Sequence, residues 1–256
     1  MRKFLAAAFL LAVLALVSAQ APAQASVEGY VDGGYTVGAT TYPLMKGVFR
    51  SPSNLPMRFF YTDGFFAEAP YMYNTHLAAA SLCMAISGMY ADYGLNGDND
   101  YATRSRNIIQ YMRDIGTTNY HLNAYNTLRP TTESIGVTMG WKPLSDDRIL
   151  IPIAVRGANY EKEWASNVTL GDGKDTNGEA QGFSVSATLV YNELIEYVRT
   201  QDTDAFNSDG TLKADKKFIF WIAGYSRAAA VSNLTAKRLV DLCHGTDSKV
   251  FAYITR

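Results

Sequence analysis

One stretch limits the folds open to this chain more than any other: Phe218-Ile219-Phe220-Trp221-Ile222-Ala223-Gly224-Tyr225-Ser226-Arg227-Ala228-Ala229-Ala230. An apolar run of strand character ends at a glycine. A serine follows two residues later, and small residues then open a helical pattern. A strand that turns this sharply into a helix lifts the serine hydroxyl above the sheet, the geometry of a nucleophile elbow. Gly224 and Ala228 flank the serine on the inside of the turn, where a larger side chain would meet strand or helix backbone. The letters are G-x-S-x-A rather than the commoner G-x-S-x-G. The flanking strand and helix therefore carry as much of the inference as the five residues themselves.

The two ends of the chain set its context. Met1-Arg2-Lys3 leads into an apolar segment from Phe4 to about Val17, and Ala23-Gln24-Ala25 follows. A basic start, a short apolar core and an A-x-A end read as a secretory signal peptide over residues 1–25, with Ala19 as an alternative cleavage site. The apolar core is shorter than the ~20 residues that span a bilayer. Removing Arg2 and Lys3 lowers Lys+Arg from 23 to 21 against 24 Asp+Glu, so the mature charge is about −3. That balance argues against nucleic acid as a partner, which demands clustered positive charge. No later segment is apolar enough to hold the protein in a membrane. Cys83 and Cys243 lie far apart in helical patterns with apolar neighbours. A secreted protein permits a disulfide, but two buried thiols are the simpler expectation. There is no C-x-x-C and no Cys/His cluster, so a structural zinc site is not supported, and the sequence implies no metal or organic cofactor.

Residues 26–73 form a lead-in rich in Gly, Thr and aromatic residues, with one or two edge strands before Met45 and an irregular stretch over 46–72. That stretch is expected to wrap the surface and to pack Phe59, Phe60, Tyr61, Phe65, Phe66, Tyr71 and Tyr73 against the core. Residues 74–135 are expected to be helical. A first helix runs from Asn74 to Tyr93 with Leu82, Ile86, Met89 and Tyr93 on one apolar face, and Gly94 stops it. Asn96–Asp100 turns, and Asp100 caps a helix over 101–115 that turns Ile108, Met112 and Ile115 inward. Residues 117–133 read as turns. From 136 to 256 strands alternate with helices, which indicates a parallel α/β sheet. Strands are expected at 136–142 and 148–155, joined by a turn at Ser145–Asp147. Pro152 is an irregularity within the second. A polar loop to Phe183, a helix over 184–200, the strand 217–223, a helix to Cys243 and a strand over 249–255 complete the order.

Arg156-Gly157-Ala158-Asn159 follows the buried strand 148–155. An elbow serine needs two backbone donors for the oxyanion. One comes from the residue after the nucleophile and one from a loop after an earlier strand. The N–H groups of Arg227 and Ala158 fit those roles, unless Arg156-Gly157 simply ends its strand. Preorganised donors of this kind stabilise the charge that develops on a carbonyl oxygen.

Ile153-Ala154-Val155-Arg156-Gly157, Trp164–Asn167, Gly182-Phe183, Ile222–Ala229 and Val250–Tyr253 together resemble successive blocks of the class 3 (fungal-type) lipase family. The G-Y-S-R-A-A-A-V-S-N-L form is similar to a bacterial secreted branch of it. The resemblance covers residues 148–256. It implies an α/β-hydrolase fold, Ser226 as nucleophile and hydrolysis of carboxylic esters, often of lipids. The family usually carries Ser or Thr after Arg-Gly. Ala158 stands there in this chain, so only a backbone donor remains.

The fold expected is thus α/β: a mostly parallel, α/β-hydrolase-like sheet flanked by helices over residues 136–256, C-terminally incomplete, behind a helical and irregular N-terminal region. In this fold the triad runs Ser, Asp or Glu, His. Asp241, His244 and Asp247 are the candidates after Ser226. A helix to Cys243 carries His244 roughly 25 Å from the elbow at ~1.5 Å per residue, well beyond the ~3 Å a general base needs. A histidine at a helix C-terminus serves the dipole instead. His76 and His121 lie upstream of the core, so the triad acid and histidine stay unassigned. Asn207–Gly210 imitates an EF-hand loop but places Ala205 and Lys216 where acidic ligands are required. Asp172–Glu179 has no such register and reads as a solvated loop, or as an insertion bordering the cleft or closing over it. The expected function is a secreted serine hydrolase acting on carboxylic esters. The alternative is an inactive fragment, or a binding or cell-surface protein on the same scaffold.

Overall fold

The computed structural model describes residues 28–33, 57–89, 101–123, 131–157, 161–171 and 177–255. The expected signal peptide at 1–25, the expected turn at Asn96–Asp100, Ala158-Asn159 and Asp172–Thr176 lie outside the described residues.

A six-stranded sheet carries the site. Its strands are β3 (Tyr120–Asn123), β4 (Val137–Gly140), β5 (Lys142-Pro143), β6 (Ile149–Val155), β7 (Phe218–Tyr225) and β8 (Lys249–Thr255). The order is β3-β4-β6-β7-β8, with β5 also paired to β6. The central neighbours β6, β7 and β8 run parallel, and β3, β4 and β5 are added antiparallel. The protein is therefore a mixed α/β fold around a mostly parallel central sheet with helices on both faces. Strand β7 is apolar at nearly every position because both of its faces are covered. Ile219, Trp221 and Ala223 enter one core, and Phe218, Phe220 and Ile222 enter the other.

Helices α3 (Gln181–Gln201) and α4 (Arg227–Leu242) cover the second core. Ala187, Leu194 and Val198 of α3 are fully buried, as their spacing implies, and Tyr191 packs at the margin. The stretch before α3 is not only loop, because Glu161–Val168 winds into a 3-10 helix. Helices α1 (Thr75–Met89) and α2 (Tyr101–Asp114) cover the first core. Ile108, Met112 and Ile115 point inward as expected. Helix α2 ends in a Schellman turn, with Gly116 at φ 80° and N–H bonds from Gly116 to Arg113 and from Thr117 to Met112.

Several expectations need correction. The buried stripe of α1 is Leu77, Ala80, Ser81, Met84 and Ala85, whereas Leu82 is 38% exposed. Small residues let the helix lie close to the sheet, where Ser81 Oγ accepts from the Trp221 indole at 2.7 Å. Residues 120–123 are a strand and not a turn. Within 46–72, Met57–Thr62 forms β2, which pairs antiparallel with β1 (Glu28–Gly33). Phe59, Tyr61, Phe65 and Phe66 are buried as expected, but Tyr71 and Tyr73 are exposed. Pro152 accounts for a gap in the ladder. The pairing of β4 stops at Met139↔Ile153 and β5 resumes it at Lys142↔Leu150. Proline has no N–H to offer between them, and Trp141 turns its own N–H and C=O to Asn119 and Thr118. Cys83 and Cys243 are free buried thiols in the two different cores.

Candidate active site

Strands β6 and β7 end together. Their parallel register sets Val155 against Gly224, so Arg156-Gly157 leaves the sheet beside Tyr225-Ser226. The chain reverses from β7 into α4 over the single residue Ser226, which takes φ 58° and ψ −126°. A non-glycine residue in such a conformation costs about 1–3 kcal/mol and persists only where its surroundings enforce it. The enforcement is visible on the inside of the turn. A Cβ on Gly224 would lie 2.5 Å from the Ala228 carbonyl oxygen and 2.5 Å from Ser232 Oγ. Ala228 itself is fully buried. Ser226 is exposed above this packed turn, and its side chain does not cap the helix that follows. The first backbone N–H groups of a helix have no intrahelical partner; in α4 Ser226 supplies no side-chain cap, and its carbonyl accepts from Ala229 N at 2.8 Å.

Arg227 has a second role that the sequence reading missed. Its guanidinium is buried, 3% exposed. Nε donates to Ser166 Oγ at 2.7 Å, Nη1 to Ser134 O at 3.0 Å, and Nη2 to Ser186 Oγ at 2.6 Å and Thr132 O at 3.3 Å. Desolvation holds its pKa below the usual guanidinium value, opposed by the charge of Glu163. Arg156 is buried alongside and binds Glu163 through Nη2 at 2.8 Å and Nη1 at 3.4 Å. Close approach is built in at two glycines. A Cβ on Gly136 would stand 2.4 Å from Arg156 Nε, and one on Gly182 would stand 2.0 Å from Ser166 O. A sequence signal for Arg227 did exist: a cation in the first turn of a helix opposes the dipole, so it requires partners elsewhere.

The proposed second oxyanion donor, Ala158, lies outside the described residues; Arg156 and Gly157, which lead to it, are buried at the end of β6. The three histidines lie elsewhere. His121 sits on β3, three strands or ~14 Å across the sheet from β7. Its Nε2 is 2.5 Å from Glu193 Oε1 and its ring stacks on Tyr197. His76 packs edge-on against Phe60. His244 follows α4, exposed at the end remote from the serine, with Asp241 and Asp247 exposed near it. Among the described residues no hydrogen bond joins an imidazole to Ser226, and no group of three His, Cys, Asp or Glu side chains is arranged to hold a metal. Asn207–Gly210 is a tight turn in which Asp209 Oδ1 accepts from Thr211 N and Oγ1. No helix among the described residues is long and apolar enough to cross a membrane. No protein-family model matches this chain, and neither a curated protein nor a solved structure does.

Proposed function

We propose that this protein is a secreted serine hydrolase acting on carboxylic esters, lipid esters among them, in the manner of the class 3 lipases it resembles. The observation that carries the reading is the backbone of Ser226. A serine at φ 58° stands exposed where a central parallel strand turns into a helix, and strain of that kind gathers at reactive groups. Ser226 Oγ attacks the ester carbonyl carbon. Negative charge develops on the carbonyl oxygen and is received by the N–H of Arg227 and by that of Ala158. The tetrahedral intermediate expels the alcohol, which takes a proton as it leaves, and the acyl group remains on Ser226 Oγ. Water then attacks the acyl-enzyme, releases the carboxylic acid and restores the serine. The base that accepts the serine proton is not assigned to a described residue.

A second reading is a secreted binding or cell-surface protein on this scaffold, without turnover. The engagement of His121 by Glu193 and of His76 by Phe60 favours it, as does the absence of a hydroxyl at Ala158. A fluorophosphonate probe separates the two. The hydrolase reading expects covalent labelling of the protein at Ser226, lost in Ser226→Ala, together with hydrolysis of a short-chain ester. A folded protein that neither labels nor turns over would leave the binding reading. Secretion is tested by sequencing the N-terminus of the exported protein, where Ser26 is expected.

A further inference from the structure

An open groove of about 560 Å³ lies where the chain enters α1, with Glu68, Met72, Tyr73, Asn74 and His76 among its walls. That volume suits a small ligand, whose pockets run from roughly 300 to 1,000 Å³. The backbone around it is tied at several points. Lys249 Nζ donates to Ala67 O at 3.3 Å and to Glu68 O at 3.2 Å, and Met72 N donates to Ala69 O at 3.0 Å. Asn74 Oδ1 accepts from Leu77 N at 3.0 Å, and Asn74 N donates to the Tyr253 hydroxyl at 3.4 Å. Tyr253 pairs with Ala223 of β7, so the groove lies beside the carboxyl end of the sheet. The side chains displayed on this fixed backbone are not packed into the fold. Met72 is 55% exposed and Tyr73 76%. The Tyr73 ring stands 6.3 Å from that of Tyr253, tilted by 42°. Among the described residues no cation pairs with the Glu68 carboxylate, because Lys249 binds backbone oxygens instead.

We propose that this groove binds a small quaternary ammonium group, seated on the exposed Tyr73 ring beside the Glu68 carboxylate. A phenol ring is negative over its face and attracts such a cation. The Met72 thioether supplies a polarizable apolar contact for the methyl groups. Charge decides against the other occupants. A helix N-terminus attracts anions, but Asn74 already caps α1 and the Glu68 carboxylate repels an anion. A neutral apolar group gains nothing from that carboxylate. Glu68 also lies close to the ring pair. Burial raises the Tyr253 phenol above its ordinary value, the bond from Asn74 opposes the rise, and the charges of Tyr73 and Glu68 add to it. The site stands whether or not Ser226 turns over an ester.

The probe is choline, compared with its neutral carbon isostere, in which a tert-butyl group replaces trimethylammonium. Calorimetry gives the affinity, and NMR of the methionine methyl groups gives the place. Choline should bind saturably and shift the Met72 methyl, leaving Met84 and Met112 of the core unmoved. The isostere should bind at least about tenfold more weakly. Tyr73→Leu should weaken choline binding about five- to tenfold, and Tyr73→Phe, which keeps the ring, by no more than about twofold. Glu68→Gln should weaken it about threefold. Both residues are exposed, so these variants keep the fold. Sedimentation with phosphatidylcholine vesicles that free choline reverses would identify a lipid headgroup as the source. Choline binding without sedimentation would identify a soluble ligand. The proposal is overturned by no saturable choline binding, by equal affinity for the isostere, or by shifts confined to other methionines. Unchanged affinity in both Tyr73→Leu and Glu68→Gln overturns it too.

Discussion

Arg156 and Glu163 meet at 2.8 Å with side chains 1% and 0% exposed, one at the end of the strand beside the elbow and the other in the 3-10 helix that follows. Two desolvated charges are tolerable only together. Removing one leaves the other buried without compensation, which typically costs about 3–5 kcal/mol. Glu163→Gln should therefore destabilise the protein by about that amount in urea titrations. Arg156→Met combined with Glu163→Leu should cost clearly less than the two single changes added together, because no isolated charge remains. An additive double variant would show that the two side chains do not depend on each other.

Ser226 offers a stability gain at the expense of its proposed role as nucleophile. Its φ of 58° disfavours any side chain, and the strain is worth about 1–3 kcal/mol. Glycine relieves the strain but adds about 0.5–1 kcal/mol of backbone entropy to the unfolded chain. Ser226→Gly should thus be more stable than the parent by about 1 kcal/mol, while Ser226→Ala, which keeps the Cβ, should gain little. Neither variant should label with a fluorophosphonate. Equal stability of the glycine and alanine variants would mean that the turn carries no strain.

Gly224 and Gly210 separate two reasons for glycine. Gly210 has φ 85° with open space around it, so alanine there meets only backbone strain. Gly224 has no unusual φ, but a Cβ would press on the Ala228 carbonyl at 2.5 Å, and backbone cannot swing away. Gly224→Ala should cost about 1–3 kcal/mol or more through overpacking and should also force α4 away from β7. Labelling of Ser226 should fall well beyond what the lost stability explains. Gly210→Ala should cost about 1 kcal/mol and leave labelling unchanged.

The elbow and the order of elements around it were legible because they rest on local chemistry. The apolar run at 218–223, the glycine and the small residues after Ser226 each report their own surroundings. Helix α2 was legible for the same reason: Ile108, Met112 and Ile115 are large, regularly spaced and end at Gly116. Helix α1 misled because its buried face is made of Ala80, Ser81 and Ala85. Residues that permit close approach carry little hydrophobic signal, and the large Leu82 faces outward instead. The strand Tyr120–Asn123 was hidden because a short edge strand is defined by its partner, here β4, rather than by its own residues. The polar network under the site was illegible for a related reason. Arg227, Ser166, Glu163 and Arg156 are ordinary surface letters one at a time, and only the fold shows that they are buried together.

The two thiols predict a pH dependence of stability that is separate from the site. Burial pushes Cys83 from 9.0 up to about 11 and Cys243 from 9.0 up to about 12. Below about pH 8 both groups stay protonated whether the chain is folded or not, and their contribution is fully present. As pH rises through 9 the unfolded chain releases these protons while the folded one keeps them. The unfolded state then binds fewer protons, so stability falls, by about 1.4 kcal/mol per pH unit for each fully titrating thiol. The loss continues until the folded thiols titrate near 11 and 12. Burial also raises the phenols of Tyr61, Tyr191, Tyr197 and Tyr253 above 10.0, so they add to the loss as the unfolded phenols begin to titrate above about pH 9. The cysteines therefore dominate the interval between about pH 8 and 9. Urea midpoints taken across it should fall with pH in the parent protein, and the fall should be roughly halved in Cys243→Ala whatever that variant's absolute stability. An unchanged slope in Cys83→Ala combined with Cys243→Ala would refute the assignment. At pH 8 iodoacetamide should modify neither thiol in the folded protein and both in urea.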